Sequence, residues 1–137
     1  MAEVSRVNDP LTTLSTSNSS YCVYTYYVSC NCDEYGCDSC PRYSYSSATV
    51  NGKITTGSNN VFVNGIAMAH AGSTVATDAR CPSSYEGSSS GDGSVTGGSS
   101  TVFVNGKAVA FKGSAYRAHT GDTSTISGGS NNVFVGG

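Results

Sequence analysis

Tryptophan is absent from this 137-residue chain, phenylalanine occurs four times, histidine twice and proline three times, and only 12% of the residues are charged. Each shortage removes a class of function. A formal net charge of −2 leaves no cationic footprint for nucleic acid. No apolar run approaches the ~20 residues that a helical membrane span needs. The opening MAEVSRVNDP has no apolar stretch, so no secretory signal peptide is expected and assembly in the cytoplasm is. Two histidines and scattered acids give no nucleophile–base pair and no paired carboxylates at matched positions, so catalysis is not expected. The glycine-rich stretches lack the strand–loop–helix setting of a phosphate cradle. Cys37-x-x-Cys40 lacks the βαβ surroundings of a redox pair.

What the chain has in abundance is serine, threonine, glycine and repetition. Residues 57–65 read GSNNVFVNG, residues 98–106 read GSSTVFVNG and residues 129–136 read GSNNVFVG. Internal repeats set the architecture before any other signal. Each copy is a short Val-Phe-Val strand, and the first two run into Asn-Gly, the strongest short-range signal for a type I′ hairpin turn. Alternation along the strand turns Val61 and Val63 to one side and Phe62 to the other. Val102, Phe103 and Val104 repeat the pattern, as do Val133, Phe134 and Val135. Ile54, Val95 and Ile126 each stand three residues before the glycine that opens a copy and form a further candidate core layer.

A return strand follows each Asn-Gly, at residues 66–73 and 107–114. The third copy has none. The N-terminal AEVSRVND, residues 2–9, matches the end of a return strand, with Asn8-Asp9 in the place of Gly72-Ser73 and Gly113-Ser114. The expected fold is therefore all-β: a compact, pseudo-threefold body of hairpin repeats, closed by pairing of the N- and C-terminal strands. Closure removes sheet edges that would otherwise invite aggregation. Residues 1–137 form one domain in this reading. Residues 11–49 are a Cys- and Tyr-rich subdomain inserted into the first repeat, and they contain five of the six cysteines and seven of the nine tyrosines. Such an insertion is too small for its own apolar core and calls for staples.

The cysteines supply the candidate chemistry. A chain finished in a reducing compartment keeps thiols free or gives them to a metal more often than it cross-links them. Cys40-Pro41 and Cys81-Pro82 occupy equivalent positions, each Cys 17 residues before the glycine that opens a copy. The third repeat offers His119 in the matching connection, and Cys37 adds a knuckle spacing with Cys40. Cys37, Cys40, Cys81 and His119 are thus the expected metal ligands at an apex where three loops meet. Thiolate and imidazole donors favour zinc, with iron as the alternative. The competing reading is that Cys40 and Cys81 form a disulfide with each other or sit free beneath the loops, with His119 merely solvated. Cys22, Cys30 and Cys32 are candidates for a second metal site or for disulfides, with no ranking between them. His70 aligns with Arg6 and Phe111 on the return strands and is expected to be structural or solvated.

GSxxVFVNG in three pseudo-equivalent copies, with SRVNDP at residues 5–10 and SNNVFVG at 130–136, resembles the PAAR-repeat proteins. These are the pointed tips of contractile injection machines, both contractile phage tails and type VI secretion spikes. The resemblance covers residues 2–10 and about 50–137. It implies a small cone whose blunt base sits, one copy per trimer, on a trimeric β-helical spike, and whose vertex holds zinc bound by His and Cys. It implies a structural role in piercing a target cell envelope, within a virion or injection particle that is assembled in the cytoplasm and then delivered outward. The chain departs from the family where Ala67-Met68-Ala69-His70 and Ala108-Val109-Ala110-Phe111 replace the namesake Pro-Ala-Ala-Arg. The usual histidine of the first loop is replaced by the Cys-rich insertion. That insertion supports an alternative role, as a receptor- or effector-binding adaptor.

Overall fold

The computed structural model describes residues 2–136, and among these there is no helix. The described residues form fourteen strands in succession: β1 (Ala2–Glu3), β2 (Leu14–Ser15), β3 (Cys22–Asp33), β4 (Gly36–Ser46), β5 (Thr49–Ile54), β6 (Phe62–Val63), β7 (Ile66–Ala67), β8 (Thr74–Arg80), β9 (Ser89–Val95), β10 (Phe103–Val104), β11 (Lys107–Ala108), β12 (Ala115–Arg117), β13 (Thr123–Thr125) and β14 (Phe134–Val135).

Three small hairpins share one geometry. Phe62 faces Ala67 in β6–β7, Phe103 faces Ala108 in β10–β11, and Phe134 faces Glu3 in β14–β1. The N-terminal strand thus supplies the missing return strand, as the repeat alignment requires. Asn64 and Gly65 have φ of 55° and 78°, and Asn105 and Gly106 have 52° and 79°. Positive φ at both central residues is the type I′ geometry, which Asn-Gly adopts at little cost. The turns that end the return strands match as well. Asn8, Gly72 and Gly113 all have positive φ, and the amides of Asp9, Ser73 and Ser114 donate to the carbonyls of Arg6, His70 and Phe111.

Where the three return strands meet, their backbones close a ring. The amide of Ser5 donates to the Ala110 carbonyl at 3.0 Å, Ala110 to Ala69 at 3.0 Å, and Ala69 to Ser5 at 2.9 Å. All three residues are fully buried. Small side chains are required there, because three chains converge on one axis. Val4, Val63, Val104, Val109 and Val135 form the core layer beside this ring.

From the ring the chain runs into a six-stranded antiparallel sheet of order β13-β12-β9-β8-β5-β2. A bridge between Leu11 and Ile126, with Thr12 donating to Thr125, brings its two edges together into a nearly closed barrel. Each repeat contributes one strand pair: β2–β5, β8–β9 and β12–β13. Ile54, Val95 and Ile126 are buried in its core with Val50, Val75 and Tyr116, as the repeat spacing predicts. Glycine permits one close approach: a Cβ on Gly93 would collide with the Arg117 carbonyl of the neighbouring strand β12.

Residues 11–49 divide between two places. Leu11, β2 and Ala48 belong to the barrel, whereas β3 and β4 form a separate two-stranded ribbon. The ribbon leaves the barrel at the end remote from the Asn-Gly turns, where β8 hands over to β9 and β12 to β13.

Candidate functional site

Two regions carry chemistry that core packing does not use. The first is the turn end of the body. Phe62, Phe103 and Phe134 point away from the core with 57%, 60% and 44% of their surface exposed, joined by Ile66 and Val102. Alternation sets this outcome, since Val63, Val104 and Val135, each one residue further on, are buried in the core. One exposed phenylalanine per repeat gives an apolar array of threefold character.

Serines hidden in the repeat hold this end rigid. Ser58, Ser99 and Ser130 are buried, and their hydroxyls accept from the amides of Val61, Val102 and Val133 at 3.0–3.1 Å. Each hydroxyl then donates to another repeat. Ser58 reaches Asn105 Oδ1 at 2.8 Å, Ser130 reaches Asn64 Oδ1 at 2.7 Å, and Ser99 reaches the Gly136 carbonyl at 3.2 Å. The turn asparagines therefore also lock the repeats together. The invariant Gly-Ser at the head of each copy was the signal for this, and reading the motif as a strand alone passes over it.

The second region is the far end, where the sequence places its metal. The expected ligands are not brought together. Cys37 is bonded to Cys32, Cys40 to Cys30 and Cys81 to Cys22, with Cα–Cα separations of 4.0, 6.0 and 5.8 Å. No cysteine among the described residues is free. Cys22, Cys30 and Cys32 thus follow the disulfide alternative, each with a partner from the expected ligand set. The repeat equivalence of Cys40 and Cys81 fails in space for a simple reason. Cys81 directly follows β8, but Cys40 lies nine residues before β5 on an extended strand, about 30 Å out at ~3.3 Å per residue.

His119 sits in the β12–β13 connection, half-buried beneath Gly91. Its Nδ1 is paired with the Thr77 hydroxyl and its Nε2 with Ser89 Oγ at 3.0 Å, and Ser89 is held in turn by the Tyr21 hydroxyl at 2.6 Å. Both ring nitrogens are engaged by hydroxyls. Among the described residues no three His, Cys, Asp or Glu side chains gather as a metal would need. Cystine sulfurs are not thiolate donors, so the residues present do not fit a zinc or iron ion. His70, beside the ring, places Nδ1 2.8 Å from the Ala71 carbonyl and stays half-buried on its return strand.

The ribbon itself is the other feature of this end. Tyr24, Tyr26, Tyr27, Tyr35, Tyr43 and Tyr45 are all exposed on it. The barrel grips only its root. Val23 exchanges backbone hydrogen bonds with Glu86 at 2.9 and 2.7 Å, Tyr85 packs on Tyr24 with ring centroids 5.6 Å apart, and its hydroxyl meets Ser44 Oγ at 2.8 Å.

A ring of hairpins that borrows its third return strand from the N-terminus, continued by a barrel with one strand pair per repeat, defines an all-β repeat protein with an apolar end and a stapled end. The PAAR motif pattern matches residues 45–115, slightly more than half of the chain, and the protein belongs to the PAAR motif family. No curated protein matches it.

Proposed function

We propose that this protein is the tip that caps a trimeric β-helical spike in a contractile injection machine, of a phage tail or a type VI secretion system. One copy sits on one spike, and the body tapers from its ring to a point. The observation that carries this reading is the coincidence of a hydrogen-bonded ring at Ser5, Ala69 and Ala110 with one exposed phenylalanine per repeat. A surface with threefold character suits the end of a trimer, one repeat to each subunit. Family membership supports the same partner. The role is mechanical, with no reaction of its own: the far end meets the target envelope briefly during piercing. Assembly takes place in the cytoplasm, and the particle carries the tip outward.

The test is association with the cognate spike trimer. Replacing Phe62, Phe103 and Phe134 together by Ser is expected to weaken binding by more than about a hundredfold, since each buried Phe contributes about 1.5–3 kcal/mol. Wild-type protein that stays apart from the trimer, or a triple variant that binds as well as wild type, would sink the proposal.

The exposed tyrosines of the ribbon favour a second role, as an adaptor for a receptor or a carried effector, because Tyr is favoured at binding surfaces. Deletion of residues 17–48 separates the two. Assembly that survives with altered target choice supports the adaptor.

A further inference from the structure

We infer that the β3–β4 ribbon is the point of this protein, and that its cystines, rather than a bound metal, decide whether the point stands extended. That the ribbon is the point rests on the capping reading above; its dependence on cystines does not.

The ribbon is long and has no core. Twelve-residue β3 spans about 40 Å at ~3.3 Å per residue. Of all residues in β3 and β4 only Cys22 is buried. A lone two-stranded hairpin is marginal in water at best. The hydrogen bonds and ring contact that hold it to the rest of the body lie at its root, at Val23, Tyr24 and Ser44, and the outer half is supported by its own ladder and by covalent bonds.

The cystines stand where that ladder is weakest. Its register shifts between Cys30 and Asp33. Cys30–Cys40 joins diagonal positions on one side of this irregularity, since Cys30 faces Asp38 and Cys40 faces Val28. Cys32–Cys37 lies within it, next to the end loop. A slip of one residue would turn the tyrosines of one strand to the opposite face relative to the other strand, and the two cross-links forbid it. Cys22–Cys81 ties the root to the end of β8. The barrel core, by contrast, is built from Val50, Ile54, Val75, Val95, Tyr116 and Ile126 and takes only Cys22 from the ribbon.

Each cross-link forms when two thiols lose two protons and two electrons. The acceptor is a small disulfide, which leaves as two thiols by exchange. In the reduced chain the barrel persists and the ribbon loses its order. In the oxidised chain the ribbon is extended and its tyrosines hold fixed places.

The experiment is amide hydrogen exchange on the full chain, with and without a phosphine reductant, alongside thiol titration and elemental analysis. Oxidised protein is expected to have no free thiols and no stoichiometric metal. On reduction, amides of residues 22–46 should exchange at least about a hundredfold faster, while those of β5, β8, β9 and β12 stay protected. Equal protection of the ribbon before and after reduction overturns the inference, as does about one zinc per chain with free thiols. If reduction unfolds the barrel through loss of Cys22–Cys81, the variant Cys30→Ser/Cys32→Ser/Cys37→Ser/Cys40→Ser keeps that bond. A protected ribbon in this variant also overturns it, and an unprotected one supports it. Spike binding is measured on the same oxidised sample. Failure there removes the capping reading and leaves the exchange result intact.

Discussion

The Ser5 amide donates to the Ala110 carbonyl, although the two residues lie in the first and last return strands of the chain. This bond, with its two counterparts through Ala69, makes three separate hairpins one object. Ala69 is fully buried at the axis. Ala69→Leu should force the ring apart and cost about 1–3 kcal/mol through overpacking. Chemical denaturation read by circular dichroism checks it, and an unchanged midpoint would show that the axis has room to spare.

Asn105 does two jobs, holding φ at 52° and accepting from the Ser58 hydroxyl at 2.8 Å. Asn105→Ala loses both and should cost about 2 kcal/mol, from the left-handed backbone and the broken hydrogen bond together. Asn105→Gly restores the turn but not the bond, and should cost about 1 kcal/mol. An Asn105→Gly variant as stable as wild type would mean that the link between repeats contributes nothing.

Tyr116 is fully buried, and its hydroxyl donates to the Thr12 carbonyl at 2.8 Å. Burial raises its pKa above the ordinary 10.0. A raised folded pKa gives stability that is complete below pH ~10 and lost as pH climbs through the folded value, because the unfolded chain ionises first. Tyr116→Phe should cost about 1 kcal/mol at neutral pH for the unpaired carbonyl and flatten the alkaline decline. Thermal unfolding between pH 8 and 11 measures both.

Asp122 joins the third repeat to the first by accepting from the Ser17 amide at 3.0 Å, and it also accepts from Thr120 Oγ1 at 2.8 Å. The Ser17 hydrogen bonds lower its pKa from the ordinary 3.8, with Thr120 adding to the effect and partial burial opposing it. A lowered folded pKa gives stability that is present above the unfolded value and lost as pH falls through the folded one. The acid limb below about pH 4 should therefore be less steep in Asp122→Asn. An identical acid limb in both proteins would show that this carboxylate contributes no linkage.

Turn chemistry and alternation are local, so the sequence alone determines the hairpins: Asn64-Gly65 and Asn105-Gly106 can make type I′ turns whatever surrounds them, and Val-Phe-Val can bury only one side. The repeat spacing likewise determines the layer of Ile54, Val95 and Ile126 and the borrowing of residues 2–9 for the third hairpin. Cysteine pairing is different in kind. Six cysteines allow fifteen connectivities, and choosing among them requires the register of β3 against β4 and the approach of Glu86 to Val23, which no local pattern encodes. That register moved Cys40 away from Cys81 along an extended strand and turned an expected metal apex into a ribbon of cystines. The partners of His119 and the serine-to-asparagine links between repeats were decided at the same level, because each joins residues that only the closed ring and barrel bring within hydrogen-bonding distance.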